Sequence, residues 1–289
     1  MDSIYDDLNG VDLNHFEVIV SDNEANATSK ELVSTYKYDN LHYHETNCEG
    51  FLNSFYALKY GRGFLLKLHN NYTMLKPKTL QYLINEAKEN VGLNPVIFYT
   101  DGLNGKVGVS TFRTFDDFMF NLSYFSSWST GFSIWKASFD EIESSLLINN
   151  YFPQTSLLLS LSDEKRFVMN NLTLFNNQNI PKKGGYNIFK VFAVDYVDLL
   201  KSAFEKKKIS QKTFQKIKSD LITKYLSMRF FKTVIVGIDN FEKADIEKNI
   251  RVNYSKAAYY KMILFSFIVP IKYALQRMKL RGANKISAF

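Results

Sequence analysis

Hydrophobic positions along the chain change period several times, and each change predicts an element. Residues 16–20 (Phe-Glu-Val-Ile-Val) read as a strand closed by Ser21-Asp22-Asn23, after a polar, mobile stretch at 1–14. Residues 31–44 alternate β-branched and aromatic positions with a break at Asp39-Asn40, and 51–69 hold two apolar pieces joined at Gly61-Arg62-Gly63, a hairpin or bulged strand. Leu80, Leu83, Ile84, Ala87 and Val91 fall on one helical face, so 77–90 is a helix with Gly92 at its end. Residues 96–100 form a strand entering an Asp101-Gly102 turn, with 107–112 as its hairpin partner.

Thr114-Phe-Asp-Asp117 and Ser138-Phe-Asp-Glu141 are capping boxes that predict two helix starts, the second running through Leu146 and Leu147. The buried run 157–161, the alternation at 167–175 and the run 188–194 read as strands, with a turn-rich loop at 176–185. Two amphipathic helices follow, over 197–204 and 210–222 with Ser210 as N-cap, then a strand at 231–238. Ser255 caps a long final helix that Pro270 should kink or end. The expected fold is α+β, with mixed, mainly antiparallel strands, interspersed helices, and a C-terminal helical hairpin, strand and long helix. Three regions are expected: an acidic mobile terminus at 1–14, an α+β region at 15–180 and a basic α-rich region at 181–289, with one continuous domain over 15–289 as the alternative.

Composition narrows the class. The 289 residues are 46% hydrophobic and 22% charged, which excludes wholesale disorder. The 25 Phe and 18 Tyr beside only 5 Pro fit an A+T-rich genome such as that of a virus or mobile element. The single cysteine, Cys48, excludes an intramolecular disulfide and fits a reducing compartment. The first residues lack an apolar stretch and the longest apolar run is too short to cross a bilayer, so the expected location is the cytoplasm.

Charge is unevenly spread. Residues 1–50 carry a balance of −9 and residues 200–289 a balance of +14, within a net charge of +7. The basic end invites phosphate, anionic lipid or an acidic protein surface, the last including the protein's own acidic end. Ile209-Ser210-x-x-x-Phe214-x-x-x-Lys218-x-x-Leu221-Ile222 resembles the short two-helix segment found in many bacterial proteins. The resemblance implies packing or oligomerisation rather than chemistry. Phe204 and Lys208 occupy places where a DNA-reading helix-turn-helix wants small residues. Lys206, Lys207, Lys208, Lys212 and Lys216, with Arg277, Lys279 and Arg281 of the tail, form the candidate partner-binding basic face.

His42-Tyr43-His44 is the one constellation with readable chemistry. Two histidines on one side of a strand can hold a divalent metal, and Tyr254, Tyr259 or Tyr260 would supply the nucleophile of a strand-nicking reaction. No phosphate loop and no Ser-His-acid arrangement is legible, and no cofactor is expected. These observations point to a non-enzymatic cytoplasmic interaction protein, a structural component of a viral, phage or secretion-type assembly. The alternative is a nucleic-acid-binding protein of replication. Expected partners are another protein or a second copy, with nucleic acid, or an anionic membrane met through residues 255–285, as the other choices.

Overall fold

The computed structural model describes residues 1–6, 10–24, 26, 28–143, 147–178 and 184–286, the last fifteen of these by backbone alone. Two compact units divide the chain, one of residues 1–179 with 203–213, the other of 180–202 with 214–289.

Unit 1 is α+β. In chain order it contains α1 (Asp2–Tyr5), β1 (Val18–Asp22), α2 (Thr28–Ser34), β2 (Leu41–Glu45), α3 (Asn53–Tyr60), β3 (Leu65–Lys67), β4 (Thr73–Leu75), α4 (Thr79–Asn90), β5 (Val96–Tyr99), β6 (Val109–Phe112), α5 (Phe115–Leu122), β7 (Ser133–Trp135), α6 (Lys136–Ile142), α7 (Pro153–Ser160), β8 (Phe167–Asn170) and β9 (Phe175–Asn177). β1 and β2 pair in parallel, β3 with β7 and β4 with β9 antiparallel. β8 lies between β5, to which it is parallel, and β6, to which it is antiparallel. A bridge from Phe98 to Phe132 and the Ser133 hydroxyl on the Ile97 carbonyl, 2.7 Å, join the β7 edge to β5. The two-stranded β3-β7 sheet thus abuts the three-stranded β5-β8-β6 sheet at β5, and β5 and β8 are buried on both faces.

Its core is aromatic and aliphatic. Phe98, Phe118, Phe132, Phe139 and Phe167 are wholly buried, and Phe118 stacks 5.4 Å from Phe167. Burying a Phe contributes roughly 1.5–3 kcal/mol, so these rings dominate the stability of the unit. Gly131 fits the close approach of β7 to β5 because an added Cβ would stand 2.3 Å from the Phe98 ring and 2.5 Å from the Tyr99 carbonyl.

Unit 2 is helical in its described part. α8 (Ile188–Lys190) continues through a π-helical stretch, Val191–Tyr196, into α9 (Val197–Glu205). α10 (Gln211–Asp220) continues through π-helical Leu221–Leu226, α11 (Ser227–Phe230) and π-helical Phe231–Ile235. α12 (Ile246–Asn253) and α13 (Lys256–Ile286) complete it.

Several predicted elements hold. The helix at 77–90 is α4, the Thr114 box is real, its hydroxyl accepting from the Asp117 amide at 3.1 Å, and Ser210 caps α10. The α+β class holds as well. Others are corrected. Residues 31–44 hold a helix before β2, and 51–69 hold α3 before β3. Ser138 lies inside α6 rather than at its start; Leu147 is 94% exposed, and Leu146 lies outside the described residues. Within 107–112 a strand does form, β6, but β8 inserts between it and β5, so the two are no hairpin.

The runs 157–161 and 188–194 are helical rather than extended, and so is 231–238 as far as Ile235. Residues 157–161 are buried nearly all round, and such a helix loses the 3.6-residue signature that would distinguish it from a buried strand. The other two runs are continuous in apolar residues apart from Lys190 and from Lys232 and Thr233, which masks the period in the same way. α7 shows this best: Pro153 through Leu159 are all buried, and Gln154 and Thr155 are satisfied by the Ser127 and Ser126 carbonyls. Pro270 neither ends nor interrupts α13.

Candidate active site

Three chain segments of unit 1 bring polar groups together at the carboxyl ends of β3, β5 and β8. In sheets with parallel strands, that edge is where ligands are generally held. β3 delivers Lys67 and, two residues on, His69. β5 delivers Tyr99, Thr100 and Asp101; β8 delivers Asn170 and Asn171.

Lys67 sits at the centre. Its Nζ donates to the Thr130 carbonyl at 2.8 Å and the Leu68 carbonyl at 3.1 Å, and it lies 4.5 Å from the Phe175 ring centre and 5.0 Å from that of Tyr99. Burial pulls its pKa down to about 7, against the opposing pull of Asp101 and Glu86. The side chain nonetheless keeps partial solvent access, and His69 beside it is exposed although protein crowds it from most directions.

The His69 tautomer follows from its partner. Nε2 lies 2.6 Å from the Thr73 carbonyl, which can only accept, so Nε2 carries the proton. Burial and the Lys67 charge hold the imidazole well below its usual pKa. At neutral pH it is uncharged, with the Nδ1 lone pair open; among the described residues no partner occupies it. Phe175 braces the ring edge-to-face at 6.0 Å.

Asp101 and Glu86 supply the negative side. Asp101 has a left-handed backbone, φ 55°, and its Oδ1 accepts from the Leu174 and Phe175 amides at 2.7 and 2.9 Å. Burial outweighs these bonds and raises its carboxyl above the ordinary carboxylate range. Glu86 of α4 is 8% exposed; its Oε1 accepts from Asn170 at 2.8 Å and Tyr82 at 3.1 Å, while Oε2 and the Tyr99 hydroxyl are buried without a well-formed hydrogen bond. Burial, and next to it the neighbouring Glu86, holds the Tyr99 phenol well above its ordinary value. Asn171 ties the edge together, accepting from Thr100 and Asn104 at 2.8 Å each and donating to the Gly108 carbonyl at 3.0 Å.

The arrangement offers one cation on a flexible stem, one neutral base and buried carboxylates that favour the charged cation. Among the described residues, no group of three or more His, Cys, Asp or Glu stands ready to hold a metal ion. A separate depression of about 940 Å³ opens in unit 2 between Phe230, Lys243, Glu247 and Arg251. It is broad and open, and converging buried polar groups mark the strand edge of unit 1 instead.

The residues singled out in the sequence lie elsewhere. His42 accepts from Arg62 Nη2 at 2.7 Å, and His44 stacks on Tyr60 at 4.0 Å, nearly parallel. Tyr254 belongs to unit 2, where its hydroxyl donates to the Lys218 carbonyl at 3.2 Å and desolvation raises its pKa far above the ordinary value. Such a phenol is a poor nucleophile. Tyr259 packs against Tyr260, 5.5 Å between centres, and Tyr260 is exposed.

The lysines of the basic face do not act as one. Lys207 takes the left-handed position that closes α9, with the Lys208 amide bonded to the Ala203 carbonyl and its own to Phe204. Lys206 and Lys207 are exposed, whereas Lys208 reaches the Leu159 carbonyl at 2.8 Å. Lys212 lies 5.0 Å from the Phe120 ring centre and Lys216 pairs with Asp220 at 2.6 Å. The side chains of Arg277, Lys279 and Arg281 fall outside the described residues, their backbone lying in α13. Lys67, His69 and Asp101 escaped sequence reasoning. A lone Lys inside the apolar run Phe64-Leu-Leu-Lys67-Leu68 was the available signal, because a charge there must be buried and used.

These features define an α+β protein with a polar cluster at the strand ends. No family model matches the chain, and no curated protein matches it in sequence. Among solved structures it is similar to S. aureus TarS, residues 1–349, with a TM-score of 0.56 and 11% identity, over 95% of this chain and 87% of that one. TarS is a glycosyltransferase of teichoic acid synthesis. This likeness overturns the expectation of a non-enzymatic interaction protein: the chain shares its fold with TarS. No described helix is long and apolar enough to cross a membrane.

Proposed function

We propose that this protein is a glycosyl-transferring enzyme, moving a sugar from a phosphate-activated donor to an acceptor hydroxyl, with its chemistry at the carboxyl ends of β3, β5 and β8. The observation that carries the reading is the fold likeness to TarS over nearly the whole of both chains. The strand-end cluster supports it independently of the likeness.

In this reaction the acceptor oxygen bonds to the anomeric carbon while the bond from that carbon to the leaving phosphate breaks. The hydroxyl proton passes to a base, and negative charge stays on the phosphate. His69 Nδ1 is the base available at this edge, its tautomer fixed by the Thr73 carbonyl. The Lys67 ammonium is the cation available to the leaving phosphate, held by two carbonyls with its third hydrogen uncommitted. Asp101 and Glu86 favour the charged form of Lys67.

The test is release of nucleoside diphosphate from a panel of UDP-, GDP- and ADP-linked sugars, with calorimetric binding of the free diphosphates alongside. Turnover or binding of one donor class supports the proposal. A folded protein that neither binds nor cleaves any of them at millimolar concentration sinks it.

A further inference from the structure

Helix α13 presents an unpartnered apolar stripe. Tyr260, Leu264, Phe267 and Ile271 are 55%, 59%, 53% and 62% exposed, and they recur at i, i+4, i+7 and i+11. At about 3.6 residues per turn this spacing places all four on one face. The opposite face is committed: Met262 and Ser266 are fully buried, α13 packs on α11, and the Ser227 hydroxyl donates to the Met262 carbonyl at 3.0 Å. The stripe is therefore not a core face waiting for its own unit.

Charge identifies the occupant. From Lys248 to Phe289 the sequence holds nine Lys or Arg and not one Asp or Glu. Lys256 and Lys261, both exposed, stand at helical positions on either side of the stripe. A second copy of this face would bring like charges together around its apolar seam, which opposes self-pairing. An anionic bilayer surface satisfies both features at once, since apolar side chains enter the acyl boundary while lysines meet headgroup phosphates. No described helix is apolar enough to span, so the helix would lie on the surface.

We propose that the exposed face of α13 docks the protein onto an anionic lipid surface, through Tyr260, Leu264, Phe267 and Ile271 with Lys256 and Lys261 at its margins. This proposal is independent of the glycosyl-transfer reading, and its test does not involve catalysis.

The experiment is flotation of the full chain with phosphatidylcholine vesicles and with vesicles containing about a third phosphatidylglycerol. The expected result is flotation with the anionic vesicles only, weakened by high salt. Leu264→Glu with Phe267→Glu, at exposed positions, should lose more than about tenfold in vesicle affinity with an unchanged melting temperature. Lys256→Ala and Lys261→Ala should each lose roughly fivefold. Absence of flotation with anionic vesicles, or full flotation of the double Glu variant, would overturn the proposal. So would sedimentation velocity without lipid showing an oligomer that the double variant dissolves, because the stripe would then belong to a second copy.

Discussion

Two histidine sites of unit 1 invite comparison. His42 and His44 stand at alternate positions of β2, the spacing that suggests a ligand pair, whereas His69 stands alone after β3. In the folded protein the pair is consumed by structure. Arg62 can only donate, so Nε2 of His42 is an acceptor already taken, and His44 lies flat on Tyr60. His69 has the reverse arrangement, because Nε2 gives its proton to a carbonyl and leaves Nδ1 open beside a buried ammonium. Spacing along a strand places side chains on one face; the partners supplied by other segments decide which nitrogen remains for chemistry.

The sharpest way to break this contrast is substitution at both sites. Lys67→Met and His69→Ala are each expected to lower turnover of the donor by about 10²–10⁴-fold, since each removes a charge-stabilising or proton-accepting group. His42→Ala and His44→Ala should stay within about threefold. Equal losses at both sites, read by steady-state release of nucleoside diphosphate, would erase the distinction. Lys67→Met should also leave the melting temperature unchanged or higher, because a buried charge is exchanged for an apolar side chain.

Gly131→Ala is the next effect in size. It should cost about 3 kcal/mol or more in denaturant titration, as the new methyl meets the Phe98 ring and the Tyr99 carbonyl at distances no packing allows. It also displaces the Thr130 carbonyl that holds Lys67, so donor affinity should fall with stability.

The pH dependence is smaller and specific. Lys67 must be charged to serve a phosphate, so kcat/KM should fall as pH rises through about 7, and Lys67→Arg should move that fall to higher pH. The stability effect has the opposite sign. The folded pKa of this lysine is depressed, so the unfolded chain binds more protons between about 7 and 10.5, and this group's contribution to stability rises with pH across that window. A kcat/KM profile flat from pH 6 to 9 would remove Lys67 from the charge-stabilising role. Last, Tyr60→Ala removes the stack under His44 and should cost about 0.5–1.5 kcal/mol with donor turnover unchanged.

Much of this protein was legible residue by residue. The 3.6-residue stripe of α4, the Thr114 box, the two amphipathic helices and the α+β class are local properties, and local chemistry enforces them wherever the chain lies. The apolar runs at 157–161, 188–194 and 231–235 were not legible as helices, since a short, nearly continuous apolar run hides the period that separates helix from strand. The site was less legible still. Lys67 and Asp101 are 34 positions apart in sequence and Asn171 lies 70 beyond Asp101. Only the insertion of β8 between β5 and β6, and of β7 against β3, brings their strand ends to one edge. The sequence by itself determined the amphipathic helices α4, α9 and α10 and where charge would gather. The tertiary structure decided which histidine keeps a free nitrogen and which carboxylates share the lysine's surroundings. Those outcomes depend on burial and on hydrogen-bond partners from distant segments, and no spacing along the chain encodes them.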